Sequence, residues 1–141
     1  MADVNHNRPV NVQRIKNLLA NGQAALQDAG LAGLSIARCV DAAYDATLGC
    51  ALALAEATQR VATKQVPGHH EEVLLTMVDI LRLPQATEML NVMRRFRHSF
   101  KYDGNQQVTA QTAKDVRFWA NRITTETYGW FEKNRPNVFK M

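Results

Sequence analysis

The chain has 141 residues, 46% of them hydrophobic and 21% charged. That is one domain's length with enough apolar surface to bury a core, and it excludes a disordered, charge-rich segment. The net charge of +4 and pI near 9.3 are compatible with a nucleic acid partner without requiring one.

The positive charge is uneven. Residues 1–81 carry 6 Lys/Arg against 8 Asp/Glu, net −2, and residues 82–141 carry 11 against 5, net +6. The opening "MADVNHNRPV" is polar and lacks the apolar core of a secretory signal. The most apolar run, "CALALAEA" at 50–57, is too short to span a bilayer. A soluble, cytoplasmic protein is expected, with residues 1–11 a flexible N-terminal segment, 12–135 a helical domain and 136–141 a C-terminal tail.

The pattern is helical throughout. Strand-like alternation is absent, and Val, Ile and Thr are not gathered in short runs. A first helix is predicted over about Val12 to Asp28, with Val12, Ile15, Leu18, Leu19 and Leu26 as its apolar stripe and Gly30 and Gly33 as its stop. Ser35 is a good N-cap for a second helix, which runs through "IARCVDAAYDATLGCALALAEATQRVA". Its many alanines favour helix and allow a neighbour to approach closely. Length and apolarity make it the expected central helix.

Pro67 and Gly68 punctuate a loop, and "HEEVLLTMVDILRL" follows as a third helix, with Glu71 and Glu72 at its electropositive start. His69 and His70 are neighbours and so do not face the same way on a helix; a loop or capping role suits them better than metal binding. Pro84 suits the first position of a fourth helix over about 84–102. Met89, Met93, Phe96 and Phe100 form its core stripe. A last helix, about 109–134, is expected to bury Val116, Trp119, Ile123 and Trp130 on one face before Pro136 stops it. The fold class is therefore all-α, an antiparallel bundle of about five helices.

Cys39 and Cys50 share the second helix, about 16 Å apart along it, too far for a mutual disulfide. No zinc spacing appears. Asp41 and Asp45 lie one turn apart, but without the Glu-x-x-His repeats of a carboxylate metal site. No metal and no cofactor is expected.

The chemistry-bearing stretch is "MRRFRHSFKYDG", 93–104. Arg94, His98 and Tyr102 line up at i, i+4, i+8; Arg97 and Lys101 run beside them, and Arg95 joins from the far flank. Guanidinium groups grip phosphates, and a histidine can move protons at neutral pH. The same residues also suit an ordinary solvated helix face, whose long stems cover the core edge.

Two segments resemble the HEPN superfamily, the helical "higher eukaryotes and prokaryotes nucleotide-binding" domains. "DAAYDATLGCALALAEA" is similar to the family's Ala-rich second helix, and "RRFRHSFKYD" to its late Arg…His motif. "PGHHEEVLLTMVDIL" is similar to the Gly-His-His helix start of some bacterial members. The resemblance covers roughly 35–104 by motif and the whole chain by helix count. It implies a homodimer whose two motifs face one cleft, and an activity that is either metal-independent RNA cleavage or non-catalytic interaction.

Carried over residue by residue, Arg97 would hold phosphate and His98 would be the polar residue after it, with Arg94, Arg95 and Lys101 as further RNA or phosphate contacts. Asp41 and Asp45 would orient Arg97. The family's spacing places its histidine where Tyr102 stands here. A tyrosine, with a reference pKa of about 10, is a poor base at neutral pH, and losing a positioned acid/base costs about 10²–10⁴ in rate.

The expectation is a non-catalytic or weakly active module that binds RNA, nucleotide or a partner protein, such as a cognate antitoxin. The alternatives are a metal-independent endoribonuclease of toxin–antitoxin or defence type, with Arg97, His98 and Tyr102 catalytic, and a structural homodimer with no ligand.

Overall fold

The computed structural model describes residues 9–60, 69–98 and 109–139, all but the side chains of His69 and His98. The described residues form five α-helices: α1 (Val12–Ala29), α2 (Ile36–Thr58), α3 (His69–Leu81), α4 (Thr87–His98) and α5 (Ala110–Asn134). There is no strand among the described residues, and the all-α bundle expected from sequence is what the chain forms.

Three helix starts are fixed by short polar side chains that accept orphan backbone N–H groups. Asn11 accepts from Arg14 N, Ser35 from Arg38 N and Thr109 from Thr112 N. The helices then assemble around α2, which touches the other four. Fourteen of its 23 residues are buried, many of them alanine, so neighbours pack against backbone more than against bulky side chains.

The closest approach is between α1 and α2. A Cβ on Gly49 would lie 3.0 Å from Leu18 O and 3.1 Å from Gly22 Cα. Glycine on both helices lets the backbones come this close, and a Cβ at either position would be tight. The two helices run antiparallel. The start of α1 meets the end of α2, where Asn11 N–H donates to Glu56 Oε2 at 3.0 Å. The end of α1 meets the start of α2, where Cys39 Sγ donates to Ala29 O at 3.4 Å.

Glu56 is only 1% exposed, and its second oxygen lies 3.6 Å from Arg14 Nε. A carboxylate thus sits at the electropositive start of α1, where the helix dipole favours it.

α2 ends at Thr58, with Gln59 in the left-handed region at φ 53°, four residues short of the expected end at Ala62. Thr58 Oγ1 donates to Leu54 O and accepts from Arg60 N, a local alternative to another helical turn.

The end of α3 is a Schellman motif. Arg82 takes φ 56° and donates to Asp79 O at 3.2 Å, and Leu83 N donates to Val78 O at 3.0 Å. Both apolar members of the motif, Leu83 and Val78, are buried. Pro84 then opens a 3₁₀ turn, Pro84–Ala86, that leads into α4.

On α5 the buried stripe is Val116, Ala120, Ile123, Thr124, Thr127 and Phe131. Val116 and Ile123 sit as expected. Trp119 and Trp130 do not: both are partly buried on the flanks of the core. The centre line facing the core mixes small and large side chains, from Ala120 to Phe131, and the indoles lie to its sides. The segment read as a tail continues past Pro136 as a 3₁₀ turn, Pro136–Phe139. Val138 is buried, and Phe139 stacks on Tyr128 with ring centroids 5.7 Å apart.

Candidate functional site: the Arg97 clamp between α2 and α4

Leu90, Met93 and Phe96 are buried and Met89 packs against the core edge, which fixes the rotation of α4. Phe100 lies outside the described residues. With those side chains inward, Arg94 and Arg97 fall along the flanks that meet α3 and α2, and Arg95 points to water.

Arg97 reaches across to α2. Its Nε lies 3.2 Å from Asp41 Oδ1 and its Nη1 2.8 Å from Asp45 Oδ1. Because Asp41 and Asp45 are one helical turn apart, both carboxylates address one guanidinium. Between them Tyr44, 3% exposed, presents its ring beneath Arg97, whose Cζ lies 5.0 Å from the ring centroid. Burial pushes the Tyr44 phenol above its ordinary value of 10.0; Arg97 and Arg94 pull it down, and Asp45 pushes it up.

Arg94 is engaged with α3. Its Nη1 lies 2.9 Å from Glu71 Oε2, and Nη2 donates to Asn91 Oδ1 at 3.4 Å. Arg95 is exposed and forms no ion pair among the described residues. Of the three guanidinium groups, Arg94 and Arg97 are matched by carboxylates, Glu71 and the Asp41–Asp45 pair, and Arg95 is not.

Sequence reasoning named Asp41, Asp45, Arg94, Arg95 and Arg97; the structure joins Asp41, Asp45 and Arg97 between α2 and α4, and sends Arg94 separately to Glu71 on α3. Lys101, Tyr102 and the His98 side chain lie outside the described residues. Sequence reasoning missed two residues here: Glu71 was placed only at the helix start, and Tyr44 only within the family-like segment. Away from this site it also missed Glu56, which lies inside the apolar run 50–57. An acid inside an Ala/Leu run was the available signal for Glu56, because such a group is buried only with partners.

The clamp's chemistry is that of a tie. A guanidinium that lies between two carboxylates and donates to one of them has less charge left with which to grip a phosphate. No group of three His, Cys, Asp or Glu able to hold a metal occurs among the described residues. None of the described helices is long and apolar enough to cross a membrane. Comparison with protein-family models, curated proteins and solved structures finds no match to this chain.

Proposed function

We propose that this chain is a HEPN-like helical module that acts by binding a partner and not by cutting RNA. The observation that carries the reading is the seating of Arg97 between Asp41 and Asp45. In a metal-free ribonuclease that arginine must stabilise charge developing on the scissile phosphate, which demands donors aimed at substrate. Here Nη1 donates to Asp45 on α2, and Nε faces Asp41 on the same helix.

The partner we infer is anionic, with RNA the first choice. Support comes from Arg95, exposed on α4 and without an ion pair among the described residues, and from the net charge of +6 over residues 82–141. A phosphate-bound partner would show the steep salt dependence of counterion release.

The test is RNA cleavage in EDTA by the wild type and Arg97→Ala, alongside RNA binding by the wild type and Arg95→Ala at two salt concentrations. No cleavage by either protein, with binding that weakens in salt and in Arg95→Ala, supports the module. Cleavage by the wild type that disappears in Arg97→Ala would establish a ribonuclease instead. A protein that neither cuts nor binds would be the ligand-free homodimer, a reading favoured by the matched charges around α4. Sedimentation would then give its subunit count.

A further inference from the structure

Away from α4, a groove of about 230 Å³ opens between the last turn of α1 and the first half of α5. Its walls carry Leu26 and Ala29 from α1 and Lys114, Arg117, Phe118 and Asn121 from α5. The α5 residues fall at i, i+3, i+4 and i+7, so one helical face supplies them all.

Two features set this groove apart from the rest of the surface. Lys114 and Arg117 make no ion pair among the described residues, and no acidic side chain lines the groove. Arg94 and Arg97, by contrast, are each paired with carboxylates. Phe118 is 58% exposed, sharing with Leu31 the highest exposure among the large hydrophobic residues described.

The C-terminal end of α1 contributes a partial negative charge of about half a unit. That offsets a minority of the two full positive charges, so the groove remains cationic. The volume falls below the ~300–1,000 Å³ usual for drug-sized ligands. A floor of Leu26 and Ala29, an exposed aromatic ring and two uncompensated cations call for a compact ligand with a flat apolar body and one anionic end.

We propose that this groove binds a small aromatic carboxylate, with its ring against Phe118 and Leu26 and its carboxylate on Lys114 and Arg117. Arg117 offers paired N–H donors that match a carboxylate, and Lys114 adds a point charge one turn earlier. Asn121, whose side-chain amide already donates to Arg117 O at 3.0 Å, closes the far end with its carbonyl oxygen. The inference is independent of the reading of α4, and its failure leaves that reading untouched.

The test is a titration of the ¹⁵N-labelled full chain with 2-naphthoate, followed by NMR. Two control probes divide its features: 2-naphthalenemethanol keeps the ring without the charge, and inorganic phosphate keeps the charge without the ring. The expected result is saturable shifts at the amides of Gly30, Arg117 and Asn121. Each control, and each of the variants Phe118→Ala and Lys114→Ala/Arg117→Ala, should bind at least about tenfold more weakly. These side chains lie at the surface, so the variants should keep the wild-type fold, which their spectra check directly. Equal binding of the neutral alcohol would reduce the groove to an apolar dent. Equal binding of phosphate would reduce it to a pair of cations. Shifts that fail to saturate, or that persist unchanged in the variants, would overturn the site.

Discussion

Arg97 Nη1 and Asp45 Oδ1 stand 2.8 Å apart although 52 residues separate them in sequence, and with Asp41 this contact ties α4 to α2. The side chains are 29% exposed for Arg97, 40% for Asp41 and 48% for Asp45, so water screens the attraction and limits its worth. Replacing both acids, as in Asp41→Asn/Asp45→Asn, should lower unfolding stability by about 1 kcal/mol, read from the urea midpoint. The same change frees the guanidinium, so affinity for RNA should rise as stability falls.

The two glycines at the α1–α2 crossing and the one on α5 should respond oppositely to alanine. At Gly49 a Cβ meets backbone at 3.0–3.1 Å, which no rotamer change relieves, and Gly49→Ala should cost about 1–3 kcal/mol. At Gly22 the nearest contact is Ala46 O at 3.2 Å, so Gly22→Ala should cost less. At Gly129, inside α5, nothing lies within 4 Å, and Gly129→Ala should gain about 0.5–1 kcal/mol. Denaturant unfolding of the three variants checks the order.

Arg82 occupies the left-handed position that closes α3, where a Cβ costs energy that glycine avoids. It is exposed, so little packing is lost on truncation. Arg82→Gly should raise stability by roughly 0.5–1 kcal/mol, visible as a higher thermal midpoint. A lower midpoint would mean that the arginine side chain contributes more than its backbone costs.

Glu56 accepts the Asn11 N–H and faces Arg14 while itself 1% exposed. Glu56→Ala takes the acceptor from the part-buried Asn11 N–H and removes the acid from the start of α1, a loss of about 1–2 kcal/mol. Circular dichroism of the variant should show α1 loosened first, because the contact lies at its first turn.

Alkaline pH should destabilise the protein. Burial raises the Cys50 thiol above its ordinary 9.0, against lowering hydrogen bonds with Thr127 and Thr124. Burial likewise raises the phenols of Tyr44 and Tyr128 above 10.0. In the unfolded chain these groups lose protons at their ordinary values, while the folded chain still holds them. The unfolded state is then favoured as pH climbs. Stability should be steady below about pH 9 and decline above it, which melting curves between pH 7 and 11 would record. The Cys50 thiol should resist alkylation until the protein unfolds.

The start of α2 was legible in the sequence because a cap is local, and Ser35 acts within three residues; Asn11 and Thr109 cap α1 and α5 in the same way but were not singled out. The Asp41–Asp45 pairing with Arg97 was legible too, since one-turn spacing on a helix and a basic neighbour suffice to suggest it. The end of α3 was not, because arginine carries none of the signal that glycine would at a left-handed cap. The indoles misled too. Trp119 and Trp130 share a helical spacing with the core stripe, but Ala120, Ile123, Thr127 and Phe131 take its centre and leave the indoles partly buried beside it. Glu56 needed the third dimension, since only the arrival of α1 explains an acid in that run.

The central place of α2 has a consequence in time. Its backbone is sheathed by α1, α3, α4 and α5, so no breathing motion of one neighbour lays it bare along its length. Amide protons of Ala43 to Leu54 should exchange with solvent only when the whole chain opens, at the global unfolding free energy. Those of α4, gripped chiefly at one edge, should exchange sooner. The helix proposed to carry the partner surface is then also the part of the molecule that can rearrange without unfolding the rest.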